Sequence, residues 1–430
     1  MVHEPPEGSL AERDLRVVWH PYTRQKDMPP PLPLVRGEGA LLYDPSGKAY
    51  IDATSSWWVN LHGHAHPYIA ESIYRQALQL EHVIFAGYTH EPAVRLAERL
   101  LPLLPGAFSR VFYSDNGSTA VEVALKMAIQ YWWNKGIKRH QLLAFHHGYH
   151  GDTFGAMSVS ERSVFTLAYQ DYLFEVVFLD TPTPENIETL RAQVREHAPQ
   201  AAAFIYEPLL QGAGGMRMYD PALLDSLLDA CRAGEILCIA DEVMTGFGRT
   251  GKRFASEYTV HKPDIICLSK GITGGTLALG ATACTAPVYE AFVADDKLKT
   301  LFHGHSFTAN PLTCAAALAS LDLLEEPACL AARARIHRQH QAFADSVRGH
   351  PLVKDLRVLG TVFAFDVETG GAGGYLDNVG PEIARFSLER GVMLRPMGNN
   401  VYVLPPYCIT EEQLEEIYAC IRGALKMLMT

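Results

Sequence analysis

Short apolar runs punctuate the chain between about residues 70 and 290. They are Val111-Phe112-Tyr113, Leu142-Leu143-Ala144-Phe145, Val176-Val177-Phe178-Leu179, Ala202-Ala203-Phe204-Ile205-Tyr206, and the segments 236–240, 265–268 and 280–285. Their hydrophobicity is continuous rather than alternating, as in strands buried on both faces. Longer segments with helical periodicity lie between them, among them 121–132 and 221–233. Seven such strands among helices predict an α/β fold with a mostly parallel sheet.

The flanks read differently. Pro29-Pro30-Pro31-Leu32-Pro33 predicts an extended arm, and 41–52 a hairpin turning at Pro45-Ser46-Gly47. Beyond 290 come a helix of small residues at 314–324 and a charged one at 331–347. Strand-like runs at 358–367 and 401–404 follow, with a helix near 381–390 between them, then an amphipathic helix at 411–427. This predicts a smaller α+β domain. The expected division is an N-terminal arm with part of the small domain at 1–60, a large domain at 61–330 and a C-terminal small domain at 331–430. A length of 430 residues suits more than one core.

Composition narrows the function classes. The net charge of -11, with no block of like charges, argues against a nucleic-acid footprint. No apolar run approaches the ~20 residues of a membrane span. Residues 1–10 are polar and acidic, without the basic and apolar regions of a signal peptide. The eight cysteines form no Cys-x-x-Cys pair, and several lie inside apolar runs. They read as small buried hydrophobes in a reducing compartment, so a cytoplasmic protein is expected. His62, His64 and His66 alternate with no acid or cysteine among them, and read as a polar loop rather than a metal site.

In α/β sheets, ligands bind beyond the carboxyl ends of the strands. Asp241 and Glu242 follow the run 236–240. Ser269 and Lys270 follow 265–268 and lead into the loop Gly271-Ile272-Thr273-Gly274-Gly275-Thr276. Alone, the acid and the lysine read equally as a buried salt bridge. After Val111-Phe112-Tyr113 comes Ser114-Asp115-Asn116-Gly117-Ser118-Thr119, opening a helix. Such a helix start suits a phosphate, although Ser118 or Thr119 could simply cap it. Together, a phosphate cradle, a strand-end aspartate and a strand-end lysine are the parts pyridoxal 5'-phosphate requires. The lysine amine joins its aldehyde, and the aspartate keeps its ring nitrogen protonated. No Gly-x-Gly-x-x-Gly follows the first strand, and no Walker-type loop is present.

The run Ala240-Asp241-Glu242-Val243-Met244-Thr245-Gly246-Phe247-Gly248-Arg249-Thr250-Gly251, with Ser269-Lys270-Gly271, resembles the class-III aminotransferase signature. Further segments resemble the branch that aminates 8-amino-7-oxononanoate in biotin biosynthesis with S-adenosyl-L-methionine as donor. They are Trp19-His20-Pro21-Tyr22-Thr23, Ser55-Ser56-Trp57-Trp58, the runs 148–158 and 207–216, Arg395-Pro396-Met397-Gly398 and Leu404-Pro405-Pro406-Tyr407. The resemblance spans about residues 17 to 410.

The resemblance implies a fold-type-I transferase acting as a homodimer with shared active sites. It implies Lys270 as the Schiff-base lysine and proton carrier, Asp241 at the pyridine nitrogen, and Gly117 and Ser118 at the phosphate. Tyr149 would lie against the ring and help form the substrate site. Tyr22 and Trp57 would line the substrate pocket, Tyr22 also stacking on the adenine of the donor, and Arg395 would bind the substrate carboxylate. From the other subunit, Gly304 would reach the substrate, and His305 and Ser306 the cofactor. Related ω-aminotransferases for ornithine or 4-aminobutyrate often carry a glutamate where Ala213 stands, which argues against those substrates. Many adenosylmethionine-using members have Gly-Pro-Thr in place of Gly304-His305-Ser306, and a Gly-His-Ser form occurs in a lysine-using branch. Lysine as donor, a generic ω-aminotransferase for diamines or β-amino acids, and a non-enzymatic phosphate-ligand module stay open on the sequence alone.

Overall fold

The computed structural model describes residues 8–371 and 374–429. The first seven residues, most of the stretch on which the signal-peptide expectation rests, lie outside the described residues. Residues 18–35 run as an extended arm without regular structure. Then β1 (Arg36–Glu38), β2 (Leu41–Tyr43) and β3 (Ala49–Asp52) form an antiparallel meander. The turn between β2 and β3 is fixed by Asp44, whose Oδ1 accepts from the backbone of Ser46 and Lys48. The hairpin forms as its sequence predicts, with β1 added on its outer edge.

The seven apolar runs form one sheet. Its strands are β4 (Phe108–Ser114), β5 (Gln141–Phe145), β6 (Val177–Leu179), β7 (Ala201–Tyr206), β10 (Leu237–Asp241), β11 (Ile265–Leu268) and β12 (Gly280–Thr285), between which the short hairpin β8 (Leu210–Gln211) and β9 (Arg217–Met218) intervenes. The spatial order is β4-β12-β11-β10-β7-β5-β6, and only β12 runs antiparallel to its neighbours. Every residue of β7, β10 and β11 is buried, which explains their unbroken apolar text. Helices Gly117–Asn134 and Pro221–Ala233 help cover this sheet. The second has both ends written in sequence: Asp220 caps Ala222 N–H, Pro221 stands in the first turn, and Gly234 follows its end.

Two elements depart from expectation. The helix expected at 121–132 begins at Gly117, four residues before 121, because Asn116 is the cap and accepts from Thr119 N–H. The run 358–367 is two strands, β13 (Val353–Leu359) and β14 (Val362–Val367). Gly360 turns between them at φ +58°, where a side chain would strike the backbone of Thr250 and Gly251. Later come β15 (Val392–Met393) and β16 (Asn400–Val403). β14 pairs with β13 and β16, while β15 pairs parallel with β3 and so joins the two ends of the chain in one sheet. The closing helix Glu411–Met427 lies where its periodicity predicts. No helix among the described residues is long and apolar enough to cross a membrane. All eight cysteines are free, six of them buried.

Candidate active site

The carboxyl ends of β4, β10 and β11 open onto a cavity of about 670 Å³ lined by Gly117, Ser118, Tyr149, Asp241 and Lys270. A second cavity of about 460 Å³ is lined by Tyr22, Trp57, Tyr149, Ala213, Lys270 and Arg395. The two share Lys270, Tyr149, Trp58, Val59 and Asp152. The fold thus brings together eight of the eleven residues singled out from the sequence, with Lys270 at the junction.

Lys270 follows β11 with φ +41°, a left-handed backbone that few non-glycine residues adopt. Ser269 before it is tied by its hydroxyl to the Leu279 carbonyl at 2.7 Å. The Lys270 ammonium sits 4.7 Å from the centre of the Trp58 ring. It forms no salt bridge with Asp241, so the buried-ion-pair reading falls. Burial holds its pKa below the usual lysine value, against the opposing pull of Asp241 and Glu207. A lysine so placed has a readily freed amine that faces the cavity.

Asp241 instead accepts from His150 Nδ1 at 2.7 Å through Oδ2, and from Val243 N–H at 3.0 Å through Oδ1. Both donors stabilise its negative charge. The other ring nitrogen of His150 is buried without a protein partner. Glu207 ends β7 one strand away. Its oxygens accept from the backbone N–H groups of Tyr149 and Gly212 at 3.0 and 2.9 Å. Burial pushes its carboxyl up to about 7 in spite of these bonds.

At the helix start, Asn116 N–H bonds the Thr119 hydroxyl, and Thr119 N–H bonds Asn116. The N–H groups of Gly117 and Ser118 are the two first-turn donors left over. A side chain at Gly117 would stand 2.8 Å from Val243, and one at Gly151 (φ +133°) would strike Ser118. Glycine at both positions keeps backbone donors accessible at this end of the cavity. Asn116, rather than Ser118 or Thr119, does the capping, which leaves the cradle free.

The second cavity is walled by aromatic rings. Tyr22 meets Trp57 and Phe165 edge-on, with centroids 5.6 and 5.7 Å apart. The Arg395 guanidinium lies 4.0 Å above the Trp57 ring. The Tyr22 hydroxyl donates to Asp152 and lies 3.3 Å from the Tyr149 hydroxyl. Burial and the Asp152 carboxylate push Tyr22 up to about 12, and burial raises Tyr149 as well. Both phenols therefore act as neutral groups at neutral pH. Arg249, from the signature run, is fully buried and donates to the carbonyls of Pro405, Trp58 and Asn60.

Gly304, His305 and Ser306 do not line either cavity of their own chain. Gly304 and Ser306 are exposed, between exposed Phe302 and Phe307. The sequence reading missed His150, Asp152 and Glu207. Glu207 ends an apolar strand just as Asp241 does, so the strand-end rule would have found it. His150 and Asp152 lie in a recognised run but carry no periodic signal of their own. Among the described residues no group of His, Cys, Asp or Glu is placed to hold a metal ion.

The family profile described as aminotransferase class-III matches residues 22–425. The chain belongs to the class-III aminotransferases. Among curated relatives of this class-III chain, the adenosylmethionine-8-amino-7-oxononanoate aminotransferase of Synechococcus elongatus is 50% identical, covering 95% of this chain and 98% of its own. The crystal structure of the enzyme with that same name from Methanocaldococcus jannaschii superposes with a TM-score of 0.94 at 35% identity, over 97% of this chain and 98% of that one. An amine transaminase from an uncultivated Pseudomonas species, in its PLP-bound form, gives a TM-score of 0.88 at 31% identity, over 95% and 98% of the two chains.

Proposed function

We propose that this aminotransferase uses pyridoxal 5'-phosphate on Lys270 to aminate 8-amino-7-oxononanoate, giving 7,8-diaminononanoate for biotin synthesis. S-adenosyl-L-methionine is the proposed amino donor. The observation that carries the reading is the placement of Lys270 where a cavity with a phosphate cradle meets a cavity with an arginine and aromatic walls.

The residues fit the cofactor. Gly117 and Ser118 offer free N–H groups to its phosphate, with no side chain at Gly117 or Gly151 in the way. Asp241 would face the ring nitrogen, Tyr149 would cover the ring, and Lys270 would hold the aldehyde carbon. Pyridoxal phosphate supplies an aldehyde that takes up amines and a ring that accepts electrons.

The protein's share of the chemistry follows from its own groups. Arg395 binds the carboxylate of 8-amino-7-oxononanoate as a planar fork, held flat by Trp57. That places the far end of the substrate toward Lys270. Lys270 Nζ, kept readily neutral by burial, would take the proton from the donor carbon that gives up its amino group and, in the second half, would deliver one to the ketone carbon of 8-amino-7-oxononanoate that gains it. Trp57, Tyr22 and Phe165 wall the cavity that Arg395 and Lys270 share. His150 holds the Asp241 carboxylate in place.

The donor reading is supported by the names of the relatives and by the walls of the second cavity. Tyr22 offers a face for an adenine ring, and Asp152 offers a negative charge for a sulfonium. Incubation with 8-amino-7-oxononanoate and either adenosylmethionine, lysine, ornithine or alanine tests it. Diaminononanoate is expected with adenosylmethionine; its formation with lysine alone would move the donor assignment. We also propose a homodimer in which Gly304, His305 and Ser306 complete the partner's site. The exposed Phe302 and Phe307 beside them support this, and light scattering at twice the 47.5 kDa chain mass is the expected result. A cytoplasmic location is proposed from the free cysteines.

A further inference from the structure

The turn that carries Trp57 is strained, and a buried carboxylate holds it. Ser55, Ser56 and Trp58 have φ of +50°, +59° and +66°. None is glycine, and three left-handed residues in four is a costly backbone that persists only where its surroundings over-determine it. Asp52, 1% exposed at the end of β3, supplies that support. Its Oδ1 accepts from Thr54 N–H and Ser56 N–H at 3.2 and 2.9 Å. Its Oδ2 accepts from Ser56 N–H at 2.7 Å and from the Ser56 hydroxyl at 3.1 Å.

The fourth donor is His64, whose Nε2 lies 2.9 Å from Oδ2. Its tautomer is set by a directed chain. Gly63 N–H donates to Asn60 Oδ1 at 2.7 Å, so the Asn60 amide nitrogen faces His64 Nδ1 at 3.2 Å and donates to it. The His64 proton therefore sits on Nε2 and points at Asp52. His64 and the Ser56 N–H and hydroxyl thus share Asp52 Oδ2, so the ring that aims the carboxylate meets it at the oxygen that carries the turn.

The register of the sheet ties this clamp to the substrate arginine. Asp52 pairs with Met393 across β3 and β15, and Arg395 follows two residues later. The register thus places Arg395, which lies over Trp57, just past the strand that pairs with the one ending at Asp52. Trp58 is anchored separately, by its indole N–H to the Tyr402 hydroxyl at 3.1 Å. Loosening the clamp releases Trp57 and leaves Trp58 beside Lys270.

We propose that Asp52, aimed by His64, is a positioning residue for substrate: it locks the left-handed Ser55–Trp58 turn so that Trp57 holds the Arg395 guanidinium for a carboxylate. The inference rests on the functional reading above. The test uses the holoenzyme and nonanoate, a carboxylate of the substrate's chain length without its amine or ketone.

In Asp52→Asn, the Kd for nonanoate and the KM for 8-amino-7-oxononanoate rise about tenfold. The kcat stays within about threefold and the visible absorbance of the bound cofactor is unchanged. Adding Ser56→Gly to Asp52→Asn recovers most of the lost affinity, because glycine adopts the left-handed conformation unaided. His64→Phe keeps a ring and removes the aimed donor, and it weakens nonanoate binding in the same direction, including where Asp52→Asn does not fold. Asp52 and His64 variants that bind nonanoate like wild type overturn the proposal. So do variants that lose kcat and absorbance at unchanged affinity, or a glycine that rescues nothing. A wild type that binds no nonanoate overturns the functional reading and this inference with it.

Discussion

His150 Nδ1 lies 2.7 Å from Asp241 Oδ2, and both side chains are buried. A neutral or charged imidazole at that distance donates to the carboxylate and fixes its direction. Replacing His150 by Phe keeps an aromatic ring but removes the donor. The expected result is a fall in kcat of about ten- to a hundredfold, with weaker retention of the cofactor. Steady-state kinetics with cofactor absorbance after dialysis check it.

Arg395 rests on Trp57 with no acidic partner among the described residues. Its charge is available for a ligand. Arg395→Leu should raise the KM for 8-amino-7-oxononanoate by about ten- to a hundredfold. Arg395→Lys should restore only part of this, because an ammonium lacks the planar fork. An unchanged KM in the leucine variant would remove Arg395 from the substrate site.

Gly151 has φ +133°, and a side chain there would collide with Ser118. Gly151→Ala therefore pushes on the phosphate cradle from outside the helix. Cofactor affinity, read by titrating the visible absorbance, should fall about tenfold or more. The thermal midpoint of the cofactor-free protein should move much less.

Glu207 keeps its proton up to about pH 7 in the folded chain, chiefly through burial. In the unfolded chain it releases the proton near the ordinary carboxyl value. Between those values the folded state binds more protons, so stability falls as pH rises from about 5 to 7 and stays lower above. The size is at most about 3 kcal/mol. Glu207→Gln should flatten this slope in the cofactor-free protein. Denaturant midpoints at pH 5, 6, 7 and 8 measure it, and identical slopes for both proteins would contradict it.

Much of this arrangement is legible in the sequence, for physical reasons. β7, β10 and β11 are buried on both faces, so their apolar text is unbroken and their ends are visible. Asp241 and Lys270 stand at those ends, where open α/β sheets place ligands. The helix Pro221–Ala233 could be read to the residue from its aspartate, proline and glycine.

What depends on distant folding was not legible. Whether Asn116, Ser118 or Thr119 caps the helix Gly117–Asn134 is decided by backbone dihedrals, and three polar residues in four leave that open. His150 meets Asp241 from 91 residues away, across a loop with no periodicity. The turn at Ser55–Trp58 is written in serines and tryptophans, which give no sign of a left-handed backbone. Only the surrounding contacts of Asp52 and Arg249 reveal why it holds.

In the proposed reaction one site takes an amino group from a donor, keeps it, and passes it to 8-amino-7-oxononanoate. A single-turnover measurement separates the two transfers. The holoenzyme is incubated with adenosylmethionine or, in parallel, with lysine, freed of donor by gel filtration, and given 8-amino-7-oxononanoate alone. The expected product is 7,8-diaminononanoate at up to one molecule per chain after adenosylmethionine, and none from Lys270→Ala. No product from the wild type after either donor, or equal product from Lys270→Ala, would contradict it.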